Sequence, residues 1–144
     1  MAGAEPPQTK PFPPREIKLA EIPSITHPSV YAREVLEGKH TVNEAVMTAC
    51  RRHMHDLDRT DIYFCDPEFD RFADFVSQLE VADGHELTGQ RMVMLPWQSF
   101  LLCSILCWKF RDTGGIRYKM AWCEVARGAG KSTMMGVLLL YVAK

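Results

Sequence analysis

The sequence predicts an α/β protein in which a helical N-terminal region precedes a strand, a glycine-rich loop and a final helix. Helical periodicity recurs along the first part of the chain, and residues 118–125 form an apolar stretch of strand length. A Gly-Lys-Ser-Thr sequence at residues 130–133 then leads into residues 134–143, which are apolar on nearly every side, as expected of a buried helix. A strand followed by a helix is half of a βαβ unit, and one strand is too few for a parallel sheet. We therefore expect the parallel sheet to lie beyond Lys144, which makes the fold incomplete in this chain.

Composition indicates one small globular domain. The chain has 144 residues, of which 47% are hydrophobic and 24% charged. The net charge of −1 gives no overall electrostatic reason to expect binding to nucleic acid or to a membrane. Five cysteines, an odd number, occur without a secretory signal in front of them, which predicts reduced and mostly buried thiols in a cytosolic setting. The longest apolar run, residues 100–108, is about half the length of a membrane span, so a core helix is expected there.

Residues 1–28 are predicted to be a proline-rich, largely disordered leader. Five of the nine prolines fall within the first 14 residues. Each proline lacks a backbone donor and biases the preceding residue toward extended conformations, so no packed element is expected. A docking peptide for a partner is the less favoured alternative.

Residues 29–90 are predicted to form a helical region. Residues 29–37 can form a short helix that Gly38 would end. The next helix is predicted to begin at Thr41, because Thr41 and Glu44 have the spacing of a capping box. The residues expected on the buried faces are Val30, Tyr31, Val35 and Leu36 in the first helix, and Val42, Ala45, Val46, Ala49, Cys50, His53, Met54 and Leu57 in the second. The opposite face of the second helix carries Arg51, Arg52, His55 and Asp58, and a solvated face is favoured there over phosphate contact.

The helical region also contains a possible metal cluster and an aromatic stripe, and packing explains both better than ligand binding. Cys50, His53 and His55 lack the second pair of ligands that a zinc site would need. Asp66 and Pro67 are a start signal for a third helix, with Asp66 as the cap. The stripe expected to face the core consists of Phe69, Phe72, Ala73, Phe75, Val76 and Leu79. Residues 81–89 are predicted to be a polar loop.

Residues 91–144 begin with a helix that starts at Pro96 and carries Gln98 in its first turn. The amide of a glutamine at that position is free to present one donor and one acceptor, which suits the N6/N7 edge of adenine. Taken by itself, Gln98 would be interpreted as an exposed residue at a helix start. The apolar helix is expected to continue through Trp108, and a turn follows at residues 112–115.

The loop at residues 124–133 has the composition of a phosphate-binding loop. Gly128, Ala129 and Gly130 are small enough for successive backbone N–H groups to turn toward a polyphosphate, and the next helix adds its positive end. Lys131 can reach the β- and γ-phosphates of a nucleotide, and the Ser132 hydroxyl can bind Mg²⁺. The first glycine of the general pattern is missing, since its position holds a valine. The alternative is a glycine-rich turn between a strand and a helix, with an exposed lysine.

Residues 95–98 (LPWQ), the tryptophan-containing helix after them and residues 121–132 (AWCEVARGAGKS) together resemble the large subunit of tailed-phage terminases. These proteins are the ATPase motors of viral DNA packaging, and the resemblance covers roughly residues 30–144. In that family the first position of the loop is commonly not glycine and an arginine stands inside it, as Val125 and Arg127 do here. The resemblance implies that residues 91–144 are the start of a P-loop NTPase domain of the RecA/ASCE type.

The resemblance also implies roles for individual residues. Gln98 would recognise adenine, and Arg127 would contact the γ-phosphate of ATP or sense its loss. Ser132, with Thr133 beside it, would bind Mg²⁺. The residues implied to cradle phosphate are Gly128, Ala129, Gly130 and Lys131.

A terminase large subunit implies a setting for the whole protein. Its partners would be double-stranded viral DNA, the small terminase subunit and the portal protein in the cytoplasm of the bacterial host, with a ring oligomer only at full length and no membrane. The acidic pair of the ATPase and the carboxylates of the endonuclease cannot be placed among residues 1–144. We therefore expect this chain alone neither to hydrolyse ATP at a motor rate nor to cut DNA.

Two alternatives remain open at this stage. One is another P-loop ATPase of the helicase type, which can also carry an upstream glutamine that binds adenine. The other is a truncated, non-catalytic module that binds a packaging partner and whose loop has lost its function.

Overall fold

A computed structural model describes residues 23–81 and 88–144 of the chain. These residues form a small, mostly helical domain with five helices and one two-stranded antiparallel sheet, and they contain no parallel sheet. The elements are α1 Pro28–Leu36, α2 Glu44–Asp56, β1 Ile62–Phe64, α3 Asp66–Ser77, α4 Pro96–Cys107, β2 Trp108–Phe110 and α5 Lys131–Val142. None of these helices is both long enough and apolar enough to cross a membrane.

Helix α4 lies at the centre of the domain and separates two apolar clusters. On one side, Phe72 and Val76 of α3 pack with Leu102 of α4 and Val137 of α5. On the other side, α1 and α2 pack against α4 around Phe100 through a cluster that also holds Tyr31, Ala32, Val35 and Cys50. Contact on both sides explains why α4 is apolar around nearly its whole circumference. The predicted stripe of α3 is confirmed, because all six of its residues belong to the first cluster.

The predicted faces of α1 and the predicted cap of α2 are partly wrong. Tyr31 and Val35 are buried, but Val30 and Leu36 are exposed. Helix α2 is capped by Asn43, whose Oδ1 accepts a hydrogen bond of 2.9 Å from Val46 N–H, and not by Thr41. Asparagine is as good a cap as threonine, so the local sequence offered two starting points and the later one is used.

The end of the predicted leader and the start of α3 also differ from expectation. Residues 23–28 lie inside the described part, where Ile25 joins the core and Met94 N–H donates to the Ser24 carbonyl over 2.8 Å. The rest of the predicted leader, and residues 82–87 of the predicted polar loop, lie outside the described residues. Asp66 is the first residue of α3, and Cys65 precedes it as a cap without a side-chain hydrogen bond.

The antiparallel sheet is not predicted by the sequence patterns. Ile62 pairs with Phe110, and Phe64 pairs with Trp108. The backbone leaves the helical conformation at Trp108, with φ −78° and ψ 124°, so the helix predicted to run through this residue ends at Cys107. The pairing fastens the end of α4 to the chain segment between α2 and α3.

The strand predicted at residues 118–125 does not form within the described part of the chain. Arg117 N–H still donates to the Trp108 carbonyl over 2.9 Å, but the backbone of residues 118–124 has no partner among the residues described. The side chains of Met120 and Trp122 are 89% and 87% exposed. A strand needs a neighbouring strand to satisfy its backbone hydrogen bonds, and no described segment pairs with residues 118–124 in this way.

Helix α5 forms as predicted but is only half buried. Met134 and Val137 face the core, and Tyr141 packs against Phe72 and Phe75 at ring distances of 5.1 and 5.3 Å. The apolar residues on the exposed side are Met135, Leu139, Leu140 and Val142. The expectation of a helix buried on nearly every side is therefore wrong for the residues described.

Candidate phosphate-binding site

The loop before α5 has an alternating backbone conformation. Gly128 and Gly130 have φ angles of 84° and 76°, in the left-handed region that favours glycine, whereas Ala129 between them has a negative φ. Alternation of this kind brings successive backbone N–H groups to one concave side, which is the geometry of an anion-binding nest. Both glycines therefore adopt the backbone conformation that such a nest needs, and their contact with phosphate stays a prediction.

The first turn of α5 leaves several backbone donors without a protein acceptor. The helix is entered from Gly130, which provides no side-chain cap, and its first hydrogen bond runs from Met134 N–H to the Gly130 carbonyl over 2.9 Å. The N–H groups of Lys131, Ser132 and Thr133 have no acceptor among the described residues. These groups carry the partial positive charge of the helix N-terminus, which favours an anion at this position.

The ammonium group of Lys131 lies back across the loop. Its Nζ donates to the carbonyls of Val125 and Ala126 over 2.8 and 3.0 Å. The lysine follows the glycines, whereas the two carbonyls precede them, so the side chain spans the loop from its end to its beginning. An ammonium has three N–H donors, which leaves one for an incoming anion.

Gln98 contacts the loop directly, although 31 residues separate it from Ala129. Its Nε2 donates to the Ala129 carbonyl over 3.2 Å, and its Oε1 accepts from Leu95 N–H over 3.0 Å. The expectation of an amide with both functions free is therefore wrong. A Cβ atom at Gly130 would lie only 3.0 Å from the same Nε2, so this close approach also favours glycine.

The other predicted loop residues are exposed. The side chains of Arg127, Ser132 and Thr133 make no hydrogen bond within the described part of the chain. Ser132 is the second residue of α5, one position after the lysine. Mg²⁺ binds oxygen ligands and usually keeps several waters, so one hydroxyl together with nucleotide phosphates fits its needs. Ser132 would hold Mg²⁺ in this way, and the ion would supply charge neutralisation at the phosphates.

A second group of polar residues lies buried between α1, α2 and β2. The sequence patterns place His53 on the buried face of its helix but do not connect it with the partners it has here. The ring of His53 contacts the Ser29 hydroxyl through Nε2 over 3.0 Å, and its Nδ1 accepts from Trp108 Nε1–H over 3.3 Å. Because an indole N–H can only donate, Nδ1 is the unprotonated nitrogen and Nε2–H donates to Ser29. In this orientation the imidazole cannot take a proton from the serine, so the pair is not an activated nucleophile.

The cysteine residues and the possible metal cluster have structural explanations. Cys50 and His53 are buried and His55 is exposed, and the described residues contain no group of three or more ligands that could hold a metal ion. Burial raises the pKa of Cys50 to about 11. A hydrogen bond with Cys103, followed by burial, raises the pKa of Cys107. Both thiols are therefore protonated at neutral pH and unreactive.

A cleft of about 300 Å³ lies between α2, α4 and residues 118–122. Phe100, Leu101 and Trp108 are among the residues that line it. Arg52 and Tyr118 also line it, and the Arg52 guanidinium carbon is 5.7 Å from the tyrosine ring centre. None of the predicted loop residues lines this cleft.

Comparisons with protein-family models, with curated proteins and with solved structures found no match to this chain. The interpretation of the loop therefore depends on its residues and on the geometry described above.

Proposed function

We propose that the loop at residues 124–133 binds the phosphates of ATP together with Mg²⁺. The observation that carries this proposal is the position of Lys131, whose ammonium bridges the beginning of the loop with one donor still free. The left-handed glycines and the open N-terminus of α5 support it, because they supply backbone donors and positive potential at the same place. The Gly-rich turn proposed as the alternative would not require the lysine to fold back over the loop.

The wider proposal is that the chain is the N-terminal part of a terminase large subunit, in which ATP binding powers packaging of double-stranded viral DNA. Phosphoryl transfer depends mainly on positioning and charge neutralisation. The cationic side chains of Lys131 and Arg127 would neutralise negative charge on the phosphates of ATP. The small terminase subunit, the portal protein, a ring assembly and the endonuclease activity belong to this proposal for the whole protein. Its support is the resemblance of residues 95–98 and 121–132 together with the loop geometry.

The direct test is titration of the 144-residue chain with ATP and Mg²⁺ by isothermal calorimetry, using wild type and Lys131→Ala. Loss of a hydrogen-bonded charge is expected to weaken binding by about 10- to 100-fold. Lys119→Ala is a matched control, because Lys119 is an exposed lysine outside the loop. Equal affinity of the wild type and Lys131→Ala would exclude the loop as the phosphate site.

The exposed apolar residues of α5 favour a second candidate, the non-catalytic module that binds a packaging partner. Leu139 and Val142 are 66% and 68% exposed and lie on one side of the helix. Such a module would retain its partner when Lys131 is replaced and would have no affinity for ATP. The same calorimetric titration therefore separates the two candidates.

A further inference from the structure

We infer that Gln98 is a positioning residue for the phosphate-binding loop. Its side chain orients the Gly130 N–H, a backbone donor that would contact bound phosphate. The inference depends on the proposed function of the loop. It goes beyond the adenine contact that the resemblance implies, because it gives Gln98 a role toward any ligand that carries a polyphosphate, with or without a base.

The side chain of Gln98 joins the start of α4 to the loop before α5. Its Oε1 is fixed by Leu95 N–H at the start of α4, and its Nε2 is fixed to the Ala129 carbonyl. Helix α4 is the central element of the core, so the amide is anchored to the most extensively packed part of the domain. An adenine edge would have to share both amide atoms with these two partners.

The planarity of the peptide bond connects this contact to phosphate binding. The Ala129 carbonyl and the Gly130 N–H belong to one peptide unit, and they point in opposite directions because the bond is trans. Fixing the carbonyl toward Gln98 therefore directs the Gly130 N–H away from Gln98. Without that hydrogen bond the unit could rotate about ψ of Ala129 and φ of Gly130, because a glycine tolerates many values of φ.

Close packing at Gly130 supports the same role. A Cβ atom there would lie 3.0 Å from Gln98 Nε2, so the amide lies directly against the loop backbone. At Gly128, which is also left-handed, no atom would lie within 4 Å of an added Cβ. Of these two glycines, only Gly130, the residue before α5, lies against Gln98.

The test compares three ligands in the presence of Mg²⁺, namely ATP, GTP and inorganic tripolyphosphate, by calorimetry on the 144-residue chain. Gln98→Ala removes both contacts. Gln98→Glu keeps the acceptor for Leu95 N–H but cannot donate to the Ala129 carbonyl. We expect both variants to weaken binding of all three ligands by a similar factor of about five to ten, since both lose the hydrogen bond to the Ala129 carbonyl that positions the loop.

Two controls separate positioning from a general loss of structure. Gln78→Ala removes a glutamine whose Nε2 donates to the Asp74 carbonyl near the end of α3, and it should leave all three affinities unchanged. The melting temperature of ligand-free Gln98→Glu should match the wild type, because a carboxylate at a helix start still caps it. A change in tripolyphosphate affinity at constant melting temperature is a result that a purely structural role would not produce.

The possible outcomes are distinct. If Gln98→Ala and Gln98→Glu lower only ATP affinity and leave GTP and tripolyphosphate unchanged, Gln98 reads the base and the inference is wrong. Unchanged affinity for all three ligands also overturns it. If wild type fails to bind tripolyphosphate, or binds it as well as Lys131→Ala does, the proposed function itself fails and the inference fails with it.

Discussion

Trp108 and His53 form a buried hydrogen bond in which the indole N–H donates to Nδ1 of the imidazole over 3.3 Å. The two residues are 55 positions apart and join β2 to α2. Their rings also meet edge to face, with centres 5.4 Å apart. Protonation of Nδ1 would place two N–H donors against each other, so the contact requires a neutral histidine.

We predict that the chain loses stability as pH falls from 6.5 to 4. Burial, and secondly the nearby His27, lower the pKa of His53 from 6.5 to about 4, and Asp56 opposes this shift. Because the folded-state pKa lies below the unfolded value, protons bind preferentially to the unfolded chain. The stabilising contribution is complete above pH 6.5 and is lost as pH falls through that window, for a total of about 3 kcal/mol.

The measurement is urea denaturation at several pH values between 7 and 4. His53→Gln should be less stable at pH 7 and should lose this part of the pH dependence. His55→Gln, at an exposed histidine on the same helix, should behave like wild type. Equal stability of the wild type at pH 7 and pH 5 would contradict the prediction.

The helices could largely be predicted from the sequence, because their signals are local. Proline at a helix start and glycine after a helix end placed α1, and apolar spacing placed the aromatic stripe of α3. The left-handed glycines of the loop also follow from local chemistry. These features can be predicted without knowing which residues pack against them from other parts of the chain.

The rest depends on contacts between distant residues. Strand β1 has three residues, and its register is set by pairing with β2, which begins 46 positions after it. Helical spacing placed His53 on the buried face of α2, but no spacing pattern connects it to its hydrogen-bond partners Ser29 and Trp108. The hydrogen bond from Gln98 to Ala129 could not be predicted from sequence patterns either. Those patterns predicted Gln98 and the loop as binding residues separately, without a contact between them.

The carboxylate of Glu68 connects α3, β2 and α5, and we predict that Glu68→Gln destabilises the domain by about 1–3 kcal/mol. Its oxygens accept from Lys109 Nζ over 2.9 Å, from Arg71 over 2.6 Å and from the Tyr141 hydroxyl over 2.5 Å. Glutamine keeps the shape but loses the charge that these donors stabilise. Glu44→Gln is the control, because the ion pair of Glu44 with Arg51 lies on the exposed surface.

The same carboxylate predicts a second acid transition. Burial raises the pKa of Glu68, but hydrogen bonds from Tyr141, Lys109 and Arg71 outweigh it and hold the pKa at about 2, against an ordinary 4.5. A lowered folded-state pKa gives stability that is present above pH 4.5 and is lost as pH falls toward 2. Denaturation curves should show that Glu68→Gln differs less from wild type at pH 2.5 than at pH 6. An equal difference at both pH values would argue against the charged network.

Exposed apolar side chains on residues 118–124 predict that the isolated chain self-associates. Met120 and Trp122 are the most exposed of the large apolar residues described, and the backbone around them is unpaired, as in an open strand edge. The double variant Met120→Lys/Trp122→Lys should shift the chain toward monomer in size-exclusion chromatography with light scattering. Val30→Lys, at an exposed apolar site on α1, should not. A wild-type chain that is a single monomeric species at all concentrations would contradict the prediction.

Ser132 and Thr133 are adjacent exposed hydroxyl residues in the first turn of α5, and we predict that only Ser132 contributes to Mg²⁺ binding. Successive helical residues project about 100° apart, so one metal ion beside the phosphates can be reached by one of the two hydroxyls. Calorimetry should give the factor by which Mg²⁺ raises the affinity for ATP. We expect this factor to be about ten times smaller in Ser132→Ala than in wild type, because one ligand contact to the ion is lost. Thr133→Ala should keep the wild-type dependence on Mg²⁺. If both variants respond to Mg²⁺ as wild type does, the ion is held by phosphates and water alone, and Ser132 is not its ligand.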